Sequence, residues 1–128
     1  MSIIAHTSPD AVSVGPYSHA AEIAGFVYLS GQTPLDKGTG KLVEGGIAVQ
    51  TDQVLKNLES VLKAAGLSFS DVVKVQVFLT DMKDFPEMNR VYESRFSPPY
   101  PARSTLGVAA LPLGAKVEIE MIAARSRS

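Results

Sequence analysis

No cysteine occurs among the 128 residues, which excludes disulfides, thiolate nucleophiles and zinc–thiolate centres. Neither sign of charge is in excess. Twelve Lys+Arg stand against 13 Asp+Glu, a formal net charge of -1, which argues against generic attraction to nucleic-acid backbones or anionic membranes. No run approaches the roughly 20 apolar residues needed to cross a bilayer. Met1–His6 has no basic stretch leading into an apolar run, so no secretory leader is read and a cytoplasmic location is expected. The G-x-G-x-x-G, Walker and G-x-S-x-G patterns are missing, and the glycines at 38, 40, 45 and 46 read as turns. His6 and His19 lie far apart with no carboxylate pattern near them. They read as solvated side chains, and no metal site is expected.

What is present suits a folded chain. Hydrophobic residues make up 45% and charged residues 20%, enough for one core in a single domain spanning 1–128. Residues 18–24 and 26–31 read as strands flanking Gly25, with a short strand possible at 2–5. From Ile47 to Ala65, Val54, Leu55, Leu58, Val61, Leu62 and Ala65 form one helical stripe; Lys56, Asn57, Glu59, Ser60 and Lys63 form the other face, and Gly66 is the stop. Residues 72–80 alternate, with Val73, Val75, Val77 and Leu79 on one side and Lys74, Gln76, Phe78 and Thr80 on the other. Asp84-Phe85-Pro86-Glu87 has the form of a capping box opening a second helix, which carries Phe85, Met88, Tyr92 and Phe96 and ends at Ser97–Pro101. Strands at 103–110 and 116–124 follow, and Arg125–Ser128 reads as a solvated tail.

Each helix connects two strands, so right-handed crossovers place both on one face of one sheet. The other face then carries Phe78, Ile122 and Phe26 or Tyr28 with nothing to hide them. A homo-oligomer pairing these bare faces is the expectation.

Three features stand out chemically. Arg103 follows three prolines within four residues, which stiffen its approach. A guanidinium suits bidentate capture of a carboxylate, though a surface pairing with a glutamate uses the same residue type. Glu118 and Glu120 share a strand face with Ile122, either at a rim or in a cleft where one handles water. Tyr17 is presented by the rigid Gly15-Pro16 turn, as a packing residue or a ligand contact. A hairpin turn centred between Pro112 and Leu113 sets Arg103 opposite Ile122. On that register Arg103 and Glu118 meet only across subunits.

Six blocks in order, Gly15–Ala20, Ser30–Asp36, Gln53–Leu58, Val77–Met82, Pro101–Thr105 and Val117–Glu120, resemble the RidA family, also called YjgF or L-PSP, over about Pro9 to Ala124. The resemblance implies an α+β, chorismate-mutase-like (YjgF-like) fold: a single mixed β-sheet with two helices packed on one face, assembled as a homotrimer. It also implies hydrolysis of reactive 2-imino or enamine acids, such as 2-iminobutanoate and 2-iminopropanoate, to 2-keto acids and ammonia, with no cofactor. Arg103 matches the arginine that binds the substrate carboxylate between subunits, and Glu118 the glutamate that positions water. Tyr17, Ser30, Gly31, Asn89 and Thr105 match positions lining that cleft. Thr105 departs from a common cysteine and His19 from a common glutamine. The alternatives carried forward are a non-catalytic trimer binding small carboxylates and an endoribonuclease or translation inhibitor of the L-PSP type.

Overall fold

The computed structural model describes residues 2–13 and 15–126. Its elements run β1 (Ile4–His6), β2 (Ala20–Ile23), β3 (Phe26–Gln32), α1 (Ile47–Ala64), β4 (Val72–Leu79), α2 (Phe85–Glu93), β5 (Ala102–Gly107) and β6 (Val117–Ala124). One six-stranded mixed sheet forms, in the order β1-β2-β3-β6-β4-β5. Both helices cover one face, burying Val54, Leu55, Leu58, Val61 and Leu62 of α1 and Met88 and Tyr92 of α2 against Val75, Val77, Ile119 and Met121. Among the described residues, no helix is long and apolar enough to cross a membrane.

β2 and β3 are joined through Ala24 (φ 54°) and Gly25 (φ 81°), the pair of left-handed residues that a two-residue hairpin with the right twist requires. Gly66 closes α1 at φ 76°, where a side chain would be strained. The opposite face of the sheet is uncovered and carries Phe26, Tyr28, Phe78 and Ile122, with Tyr28 47% exposed.

Several readings from the sequence are corrected by the structure. The two C-terminal strands are not a hairpin. β6 inserts between β3 and β4, antiparallel to both, and β5 lies at the edge, parallel to β4. The reason is burial: Val117, Ile119, Met121 and Ala123 are all buried, so β6 belongs in the interior, whereas no residue of β5 is fully buried. In β4 a bulge between Val72 and Lys74 turns Val72 inward and leaves Val73 44% exposed.

Asp84 does not cap α2. It already has helical backbone angles (φ -80°, ψ -5°), from which its carboxylate makes no capping bond, and Asp81 instead accepts from Lys83 N–H at 2.9 Å in the preceding turn. The same helix ends at Glu93, before the prolines, where Ser94 Oγ donates to Val91 O at 2.6 Å.

His19 is buried rather than solvated. Its Nδ1 accepts Ser8 N–H at 3.0 Å, which leaves the proton on Nε2 to donate to Val12 O at 3.2 Å. Arg125 is no solvated tail residue: it donates to both Glu22 oxygens, at 2.7 and 2.8 Å, and to Ala65 O at 2.8 Å beyond the end of α1. Arg125 and then His6 hold the Glu22 carboxyl down at about 2. Arg127 and Ser128 lie outside the described residues.

Candidate active site

Arg103 stands at the second position of the edge strand, in register with the buried Val75, so its side chain rises on the helix-covered face. There its Nη1 donates to Asn89 Oδ1 at 2.7 Å, and its guanidinium carbon lies 4.7 Å from the Tyr92 ring centroid and 5.6 Å from that of Phe85. Asn89 and Tyr92 come from successive turns of α2, and the proline-rich segment before β5 brings Arg103 to them. Burial pushes the Tyr92 phenol up, against the opposing pull of Arg103, so it stays neutral beside the cation. Arg103 and Tyr92 line a cleft of about 420 Å³ together with Asn89, Glu93, Tyr100 and Pro101. The aromatic platform of Phe85 and Tyr92 was missed from sequence, where both rings read as core. The only signal was their spacing from Asn89 on one helix.

Glu118 lies on the other side of the sheet. Its register partner is Phe78, on the uncovered face, and it borders a second cleft of about 670 Å³ together with Tyr17, Ser30, Gly31 and Glu120. A β-bulge shapes this wall. Leu29 pairs with Met121 and Gln32 with Ile119, so Ser30 and Gly31 together oppose Glu120. Gly31 has no Cβ to obstruct the carboxylate; one placed there would come 3.0 Å from Glu118 Cδ and collide with Oε2. Ser30 is committed as a donor, its hydroxyl to Ser18 O at 2.7 Å and its N–H to His19 O at 2.9 Å, so toward any further partner its hydroxyl can only accept. Burial, and then the neighbouring Glu120 charge, raises the Glu118 carboxyl above the ordinary carboxylate value.

The site residues read from sequence therefore fall into two groups. Arg103 and Asn89 share the helix-covered face; Tyr17, Ser30, Gly31 and Glu118 share the opposite one. Thr105 follows Arg103 on the covered side, in register with Val77, with a buried Oγ1 that has no hydrogen-bond partner, and it is not among the residues lining either cleft. Within one chain the sheet itself separates the guanidinium from the carboxylate. No group of three or more His, Cys, Asp or Glu side chains able to hold a metal occurs among the described residues.

The family model described as endoribonuclease L-PSP matches residues 7–125. The chain belongs to this family. A relative from Mus musculus, named 2-iminobutanoate/2-iminopropanoate deaminase, is 47% identical over 117 residues, covering 91% of this chain and 87% of the relative. Among solved structures, RidA from an Antarctic Psychrobacter species superposes with a TM-score of 0.91 at 43% identity, covering 95% of this chain and 99% of that one. E. coli TdcF with bound serine superposes at 0.89 with 36% identity, covering 96% and 99%.

Proposed function

We propose that this protein hydrolyses short 2-imino acids, 2-iminobutanoate and 2-iminopropanoate among them, to 2-keto acids and ammonia. A homotrimer would assemble the site between adjacent copies. The observation that carries the reading is the pair of half-sites. An arginine braced by an amide and two rings suits a carboxylate. A carboxylate with a raised pKa, seated on a bare glycine, suits the handling of water. Neither half is sufficient alone, and stacking the uncovered face of one copy against its neighbour would close one on the other while hiding Tyr28 and Ile122.

The chemistry asks little of the protein. Arg103 takes the substrate carboxylate through the donors that Asn89 leaves free. Starting from the imine protonated on nitrogen, Glu118 accepts a proton from water as the water oxygen bonds to the imine carbon and the C=N electron pair moves to nitrogen, giving a neutral tetrahedral carbinolamine. Glu118 returns that proton to nitrogen, the C–N bond breaks, ammonia leaves with its electron pair, and the hydroxyl proton passes to Glu118 and then to solvent as the C=O forms. Water supplies the oxygen, and no electrons are gained or lost, so the balance closes without a redox partner. Positioning of the two reactants and proton transfer by a placed carboxylate, the latter about 10²–10⁴-fold, are the two sources of rate.

Two relatives support this reading by what their names record: an imine deaminase from mouse, and a structure holding an amino acid. The second also favours the alternative of a non-catalytic module for small carboxylates. A coupled assay separates them, with threonine dehydratase generating the imine and keto-acid formation timed with and without this protein. Acceleration supports the deaminase; binding without acceleration supports the module. Arg103→Ala is expected to lower kcat/KM by about 10²–10⁴, the worth of two charge-assisted hydrogen bonds, with unchanged far-UV circular dichroism. Arg103→Lys should recover little of this, because an ammonium lacks the planar fork. Full activity in either variant removes the carboxylate clamp.

A further inference from the structure

Leu113 is 69% exposed, the highest value among the large apolar side chains of the described residues. Its backbone is also unusual, at φ 60° and ψ 16°, a left-handed conformation that disfavours a bulky side chain, and Gly114 follows at φ 76°. The turn is held from both sides: Gly114 N–H donates to Leu111 O at 3.3 Å, Ala115 N–H donates to Pro112 O at 3.1 Å, and Ala115 is buried. Glycine would meet these backbone demands without strain. Leucine instead adds steric cost and exposes an isobutyl group to water, so its benefit must come from something that covers it.

The position of the side chain says what that is. Leu113 borders the Glu118 cleft, and Leu35, Pro112 and Tyr17 supply further apolar wall beside it. The charged residues lining this cleft are Glu118 and Glu120, with no lysine or arginine among them. A second carboxylate on a substrate would meet two like charges there, whereas an aliphatic group would meet carbon. Strain retained at a functional cleft is where a role is to be sought.

We propose that Leu113 selects the substrate side chain, favouring uncharged aliphatic 2-imino acids larger than 2-iminopropanoate, while the cleft turns away imino dicarboxylates. This rests on the deaminase reading above. The test uses imines generated from alanine, 2-aminobutyrate, leucine and glutamate by matching L-amino-acid oxidases, with catalase present and semicarbazide as the trap. Wild type, Leu113→Gly and Leu113→Lys are compared.

In wild type the leucine-derived imine should be hydrolysed more efficiently than the alanine-derived one, and the glutamate-derived imine should be poorest. Both variants should lose about 3–10-fold in kcat/KM on the leucine-derived imine, while changing less than about twofold on the alanine-derived one. Leu113→Gly should melt at the same temperature as wild type or higher, since it relieves the left-handed strain. A role in packing would move melting the other way. An active wild type whose preferences survive both substitutions overturns this proposal alone, as does a lower melting temperature or a smaller assembly in both variants. A wild type inert toward all four imines takes down the deaminase reading together with it.

Discussion

At Gly31 the backbone leaves open a volume that Glu118 fills. The φ of this glycine is not left-handed, so its value lies in the missing Cβ rather than in conformational freedom. Gly31→Ala should keep the fold, because the obstructing neighbour is the end of a flexible side chain, but should push the carboxylate out of its seat. The expected result is a fall in kcat of about 10²-fold with little change in melting temperature, read from steady-state kinetics and a thermal scan. Near-wild-type kcat would mean that the seated position is not the working one.

Glu120 acts at the same scale. Glu118 lies above its ordinary value first through burial and second through the Glu120 charge, and a base must be deprotonated to work. Activity should therefore fall as pH drops through the raised Glu118 value. Glu120→Gln removes the like charge, so the acid limb of kcat/KM should move to lower pH. A limb that stays in place would assign the titration to another group.

Helix α1 supplies more than a core stripe. Asn57 is 3% exposed, and its Nδ2 donates to Thr33 O at 3.1 Å and Leu35 O at 3.0 Å while its Oδ1 accepts from Gln53 at 2.9 Å. The sequence pattern put this residue on the solvated face, since an amide at that helical angle looks polar-out. The structure turns it inward, toward the irregular segment after β3, where it donates to Leu35 O and shares Thr33 O with the Leu35 N–H. Asn57→Ala should leave Leu35 O without its donor, while Thr33 O keeps the Leu35 N–H at 2.8 Å, at a cost of about 1–3 kcal/mol in urea unfolding. Because Thr33 and Leu35 border the Glu118 cleft, activity should weaken as well. A loss under about 0.5 kcal/mol would show that water replaces the amide without penalty.

For the whole molecule the decisive fact is that Arg103 and Glu118 lie on opposite faces of one sheet. If adjacent copies complete each site, chains carrying Arg103→Ala and chains carrying Glu118→Gln should complement when unfolded together and refolded. Random 1:1 mixing in a ring places an intact arginine against an intact glutamate in about a quarter of the sites, so about a quarter of wild-type activity should return. Sedimentation should give three times the 13.6 kDa chain mass. No recovery, or a stable monomer, would leave the two half-sites unconnected.

Several features were legible in the sequence by itself: the α1 stripe, the alternation of β6 and the Gly25 and Gly66 turns. These are local properties, because side-chain period and backbone tolerance are settled within a few neighbours. The insertion of β6 between β3 and β4, the bulges at Val72–Lys74 and Ser30–Gly31, the burial of His19 and Asn57, and the capture of Arg125 by Glu22 were decided only in the tertiary structure. Each depends on which distant segment satisfies a hydrogen bond or covers an apolar face. A strand's own pattern says which of its residues turn inward together; only its partners determine which side of the sheet an arginine and a glutamate come to occupy.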